Sequence, residues 1–217
     1  MRIIQFMGRD GAKRVGRVSD GGIVHTIRGV TTTYGLALEA IKKQKVLKDI
    51  IDEHTSEEKD TMDQILSEKR IHVPFHHPDP YHQLVSGTGL SHLGSASARD
   101  AMHAKLDKDE SSLTDSMKMF KWGLDGGKPD CAAIGTQAEW FYKGDGDWVA
   151  APEAELSWPA YALDGGEEVE LVGIYLIDET STVRRVGYAL ANEYADHVME
   201  RQNYLYLSHS KLRHCSY

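Results

Sequence analysis

Apolar residues recur along this chain with two different periods. At the N-terminus they fall in three short runs, RIIQFM, RVGRVS and GIVHTI, separated by GRDGAK and DGG. Short apolar runs between glycine- and aspartate-rich turns predict a small β meander over residues 1–30. From Tyr34 onward the spacing changes: Leu36, Leu38, Ile41, Val46, Leu47, Ile50 and Ile51 form a roughly helical stripe. A second helix is expected over SEEKDTMDQILSEK, with Ser56 as its N-cap and acids in its first turn. IHVPFHHPDPYHQ, rich in proline and histidine, reads as an extended crossing out of this first unit.

Beyond it the pattern is strand-like again. QLVSGTGLSHLGSASARDAMHAK begins as a strand, passes through glycines and small residues, and enters a helix near Ser95. Leu106–Asp130 is acidic and ends rich in glycine, as a helix plus a covering loop or as a solvated insertion. CAAIGTQAEWFYKGDGDWV predicts a strand, an aromatic patch and a hairpin turn at Gly144–Asp147. Then come APEAELSW, the polar turn LDGGEE, VELVGIYLIDE, a short charged turn, and VRRVGYALANEYADH. These read as strands, and the rest of the chain is organised around them.

Composition narrows the function. With 217 residues, 41% of them hydrophobic, the chain can bury a substantial core. It has no apolar run long enough to span a bilayer, and MRIIQFMGRDG shows no signal-peptide pattern. A net charge of -8 without a basic cluster argues against nucleic acid and anionic membranes as partners. Cys131 and Cys215 are too few for a disulfide framework or a zinc site, so reduced thiols in a cytoplasmic protein are expected. No phosphate-binding glycine loop, nucleophile elbow or H-E-x-x-H helix is present.

The candidate chemistry is carried by carboxylates. Glu153 and Glu155, one residue apart in an expected strand, would leave the same face. Glu193 ends a second β-rich run about forty residues on. Three carboxylates converging from two extended segments suit a hard cation such as Mg²⁺ or Mn²⁺, although an E-x-E pair also occurs on solvated strand faces. Asp100 and His103 are spaced to share a helix face, as a proton-transfer pair or an ordinary surface ion pair, and His92 precedes them. Lys143 follows Trp140, Phe141 and Tyr142; it can meet an anionic substrate or snorkel outward from an aromatic core.

Together these motifs resemble the fumarylacetoacetate hydrolase family, from Val85 to Tyr217. PEAELSW resembles its E-x-E element through Glu153 and Glu155. GYALANEYADH resembles its N-D-x-x-A-R-D segment, with Glu193 where the family usually has Asp and His197 where it often has Arg. WFYKGDGDWVAAP resembles its F-x-K segment. The family's N-Y-x-x-H-x-x-E element is replaced by SHLGSASARDAMH. The likeness is strongest to a bacterial branch of sugar-acid catabolism that includes 2-keto-3-deoxy sugar acid dehydratases.

The resemblance implies an α+β fold: a small N-terminal β-plus-helix domain (1–75), then a mixed β-sandwich roll (76–217) that lacks the family's later strands. It implies a Mg²⁺- or Mn²⁺-dependent lyase or C–C hydrolase acting on a small 2-oxo acid, and a homodimer. Glu153, Glu155 and Glu193 would hold the ion, and Lys143 and His197 would meet the substrate. His92, Asp100 and His103 would move protons. The competing expectations are a catalytically inactive, truncated binding or assembly subunit, and an isomerase or decarboxylase of the same fold.

Overall fold

A computed structural model describes residues 1–87, 110–127, 129–136 and 140–217. The expected meander is present as β1 (Arg2–Met7), β2 (Lys13–Val18) and β3 (Ile23–Ile27). With β4 (Thr55–Thr61) and β5 (Ile71–His72) they form an antiparallel sheet in the order β4-β3-β2-β1-β5. The alternation of these strands buries both faces. Val15 and Ile27 pack with Leu36, Ala40, Ile50 and Ile51 from helices α1 (Thr33–Lys43) and α2 (Leu47–His54). On the opposite face Phe6, Val18 and Val24 pack around Ile65 of α3 (Met62–Ser67).

One element of this first unit differs from expectation. Residues 55–61 form β4 rather than the start of a helix, and Ser56 is buried in that strand instead of capping. Pairing with β3 overrides the weak local helix preference of a polar stretch. The cap falls to Thr61, whose side chain accepts from the Gln64 N–H at the start of α3.

Gln5 ties the first sheet to α1 and to the crossing segment. Its buried side chain accepts from the Thr33 N–H at 2.7 Å and donates to the Val73 carbonyl at 2.5 Å. Beyond the crossing, β6 (Leu84–Gly87) pairs antiparallel with β7 (Phe141–Asp145). A further sheet has the order β8-β11-β10-β9, built from β8 (Val149–Ala150), β9 (Val169–Ile177), β10 (Val183–Asn192) and β11 (Cys215–Ser216). Helix α4 (Asp115–Gly126) fills part of the acidic segment. Short helices α5 (His197–Gln202) and α6 (Leu207–Lys211) lie between β10 and β11.

Ala37 of α1, Phe75 and Leu176 of β9 form the buried seam between the first sheet and the last, with Tyr217 packed against it. Tyr217 also donates to the Phe75 carbonyl at 2.7 Å, which anchors the last residue to the crossing segment. No helix of the described residues is long and apolar enough to cross a membrane.

Candidate functional site

The site lies where β9 begins and β10 ends. The two strands are antiparallel, with Asn192 opposite Val169, so Glu168 and Glu193 are adjacent just outside the ladder. The Glu193 N–H donates to the Glu168 carbonyl at 2.8 Å, and Gly166 bridges Ala195. The Asn192 side chain accepts from the N–H groups of both Glu168 and Tyr194, which fixes the backbone between the two glutamates.

Strand β7 brings in a cation. Along it Phe141 and Lys143 are buried while Tyr142 is exposed, the period-2 alternation of a half-buried strand. Lys143 is 2% exposed and donates to the Tyr194 carbonyl at 2.5 Å. Burial pushes its pKa down to about 8, against the pull of Glu193. Its alternative reading, an ammonium snorkelling outward, does not hold: the charge stays inside.

A second cation comes from α6. Lys211 Nζ lies 2.8 and 2.6 Å from the two oxygens of Glu168, 3.1 Å from Glu193 Oε1 and 3.8 Å from Glu200 Oε2. Burial works against its charge, but these carboxylates outweigh that cost and raise its pKa. Burial likewise pushes the carboxyl of Glu193 up, with Glu168 adding to the effect and Lys211 opposing it. In Glu168 burial also acts upward, but the hydrogen bond and charge of Lys211, with hydrogen bonds to Glu193 and His197, together outweigh it and the net shift is down. His197 completes the cluster, its Nε2 2.8 Å from Glu168 Oε1.

An ion pair holds the frame from beneath. Asp196 and Arg213, 0% and 1% exposed in their side chains, meet at 3.2 Å. Asp196 caps α5 by accepting from the Met199 N–H and also accepts from the Leu163 N–H. Its own N–H donates to the Ser210 carbonyl, so one residue joins the helices that carry His197 and Lys211.

The donor set fits a divalent cation. Glu168, His197 and Glu200 each place a ligand atom within 4.8 Å of the others. Glu193 Oε1 is buried and, despite standing at ion-pair distance from Lys211, lies outside hydrogen-bonding geometry. A buried carboxylate oxygen is costly unless a charge completes it, and Lys211 Nζ at 3.1 Å supplies that charge to Glu193. Glu170 has the same parity as Glu168, and residues 170, 172, 174 and 176 form the inward side of β9. Oxygen-rich carboxylate sets of this kind suit Mg²⁺ or Mn²⁺.

Of the residues singled out in the sequence, Glu193, Lys143 and His197 enter this cluster. Glu153 and Glu155 are exposed. The strand expected to align them is absent: residues 151–165 have no strand, and Glu153 sits in a turn at φ 65°. Pro152 and the turn at its side break the extended pattern that the alternation suggested. His92, Asp100 and His103 lie outside the described residues.

Sequence reasoning missed Glu168, Glu170, Glu200 and Lys211. The signal for the first two was available, because Glu168-Val169-Glu170 repeats the E-x-E spacing at the mouth of a strand. Lys211 had no such signal, since its role depends on burial.

The chain matches no protein-family model and no curated protein. It does match solved structures of 2-keto-3-deoxy-D-arabinonate dehydratase. One, complexed with magnesium and 2,5-dioxopentanoate, is 16% identical with a TM-score of 0.59, covering 100% of this chain and 64% of the other. An apo form is 15% identical with a TM-score of 0.60 and 64% of its length covered. A hexagonal crystal form is 16% identical with a TM-score of 0.58 and 65% covered. The chain thus spans just under two thirds of the length of these proteins. At such identities the likeness establishes the fold alone, a mixed α+β arrangement shared with these structures.

Proposed function

We propose that this chain is a divalent-metal-dependent lyase that dehydrates a small 2-oxo acid of the 2-keto-3-deoxy sugar acid class. The observation that carries the proposal is the buried cluster of Glu168, Glu193 and Lys211, beside the close-set donor atoms of Glu168, His197 and Glu200. It stands in a fold shared with a dehydratase that was crystallised with magnesium.

In this reading Glu168, Glu170 and Glu193 would hold Mg²⁺ or Mn²⁺, with His197 and Glu200 flanking them. When bound, the ion would supply Lewis-acid charge beside the keto group of the substrate. Lys211 keeps Glu168 ionised and oriented through paired hydrogen bonds. Lys143 offers a buried ammonium to the substrate carboxylate or to the developing enolate oxygen, where low dielectric strengthens the attraction. Its pKa of about 8 also leaves a fraction of neutral amine near neutral pH, able to accept a proton. His92, Asp100 and His103 are proposed to carry protons to the departing hydroxyl. Glu153 and Glu155, exposed on their turn, have no part in the ligand set proposed here.

Mass spectrometry of a panel of 2-keto-3-deoxy sugar acids incubated with the protein and Mg²⁺ tests this. Loss of one water from at least one member is expected. Cleavage into two smaller acids would assign C–C hydrolysis instead, and an unchanged panel would contradict an enzymatic role.

A further inference from the structure

Gln5 fixes the protonation state of a histidine in the crossing segment. Three groups meet its buried amide, and two of them leave it one orientation. The Thr33 N–H can only donate, so the atom facing it at 2.7 Å is Oε1. The Val73 carbonyl can only accept, so the atom facing it at 2.5 Å is Nε2. The third group is His76 Nδ1, 3.0 Å from the same Nε2. An amide nitrogen donates and does not accept, so Nδ1 must be the acceptor. His76 is therefore neutral, with its proton on Nε2.

An imidazolium cannot keep this contact. Both of its ring nitrogens carry hydrogens, so an Nδ1–H would face the N–H of Gln5. Flipping the Gln5 amide gives no relief, because it breaks the bonds to Thr33 and Val73 of a side chain that is 2% exposed. Burial disfavours a charge on His76, and Lys13 of β2, His72 of β5 and neighbouring His77 all repel one, so its pKa lies below the ordinary 6.5. The carboxylate of the segment, Asp79, is engaged elsewhere: it stands 2.8 Å from His82 Nδ1 and accepts from the Tyr81 N–H. His76 is half-buried, which leaves its ring a way out to water.

We infer that Gln5 and His76 form an acid-sensitive latch: protonation of His76 releases the crossing segment, residues 73–83, from the first sheet. Neutral, the ring accepts from Gln5 and holds the segment beside β1 and α1, where Thr33 Oγ1 also donates to the Pro74 carbonyl. Protonated, it leaves Gln5 for solvent. The direction follows from proton counting. The released imidazole titrates near 6.5 and the latched one below it. Between those two values the released form binds more protons, so falling pH favours release; below the latched value the gain levels off. The segment leads into β6, and its Phe75 is tied to Tyr217 at the last sheet. The latch thus sets how firmly the first unit is joined to the part of the chain that carries the glutamates.

Amide hydrogen exchange of the whole chain, read by mass spectrometry at pH 7.5 and 5.5 and corrected for intrinsic rates, tests this. Peptides covering residues 71–83 should open more readily in acid, by up to about tenfold per pH unit, with no matching change in peptides of β9 and β10. His76→Asn sets an oxygen that accepts from Gln5 near the place of Nδ1 and does not titrate, so it should abolish the acid response. Two-bond proton–nitrogen correlation spectra of the unaltered chain at pH 7.5 read the tautomer without any substitution, and an unprotonated Nδ1 is expected for His76. A protonated Nδ1, an opening of 71–83 that does not increase in acid or that the whole chain shares equally, or an acid response undiminished in folded His76→Asn would each overturn the inference. Neither readout involves metal binding or turnover.

Discussion

Lys211 Nζ stands 2.6 Å from Glu168 Oε2 and 2.8 Å from Glu168 Oε1, joining residues 43 apart in sequence. The contact closes α6 onto the mouth of the β9–β10 hairpin. It neutralises a carboxylate that would otherwise repel Glu193 beside it. Without Lys211, the two buried acids would lose the one ammonium that contacts both of them and keep only the longer-range pull of Lys143.

Lys211→Met is therefore expected to destabilise the metal-free protein by about 3 kcal/mol or more, the cost of breaking a buried ion pair. Added Mg²⁺ should restore more of the lost thermal stability in this variant than in the unaltered chain, because the ion replaces the missing charge. Equal thermal shifts in the two proteins would argue that Mg²⁺ binds elsewhere.

Proton competition at Glu193 gives a second prediction. Burial raises this carboxyl above its ordinary range, so it takes up a proton at a higher pH than an exposed glutamate does. A ligand carboxylate must give up that proton to bind metal. Mg²⁺ affinity should fall as the pH drops from neutral toward 5, with proton release on binding. Glu193→Gln should show weaker binding and a flatter pH dependence.

Above neutral pH, Lys143 contributes a rise in stability. Its pKa falls from 10.5 to about 8 on folding. Below pH 8 folded and unfolded states both hold the proton, and the full cost of burying the charge is present. Between the two values the unfolded chain binds more protons, so stability rises with pH; above 10.5 the cost is gone. That cost is about 3 kcal/mol. Urea midpoints of the metal-free protein should therefore rise from pH 7.5 to 9.5. In Lys143→Met the rise should be absent, stability at neutral pH higher and turnover lost.

Arg213→Ala should destabilise the protein by about 3–5 kcal/mol, because it leaves Asp196 charged and buried. The Asp196→Ala, Arg213→Ala double variant should lose less than the two single losses added together, which a double-mutant cycle in urea measures. Additive losses would show that the pair does not act as a unit.

The N-terminal meander and first helix were legible because their apolar periods are clear and their turns carry glycine and aspartate. β4 was not, because TSEEKDT has no strand character of its own and takes its form from pairing with β3. In the site, Glu193, Lys143 and His197 stood in recognisable local patterns. The E-x-E spacing pointed to Glu153 and Glu155, whereas the glutamate beside Glu193 is Glu168, which opens a second E-x-E with Glu170. Strand pairing decides between two equal spacings, and pairing is a long-range property. Lys211 was invisible for the same reason: its ammonium gains its role only when α6 folds over Glu168.

Calorimetric titration of Mg²⁺ into the unaltered chain, Glu168→Gln, Glu193→Gln and the Glu153→Gln, Glu155→Gln double variant tests the central claim most directly. The account predicts binding in the unaltered chain, an undiminished affinity in the double variant, and a loss of at least about tenfold in Glu168→Gln and Glu193→Gln. Undiminished affinity in both single variants, or loss of binding confined to the double variant, would contradict it.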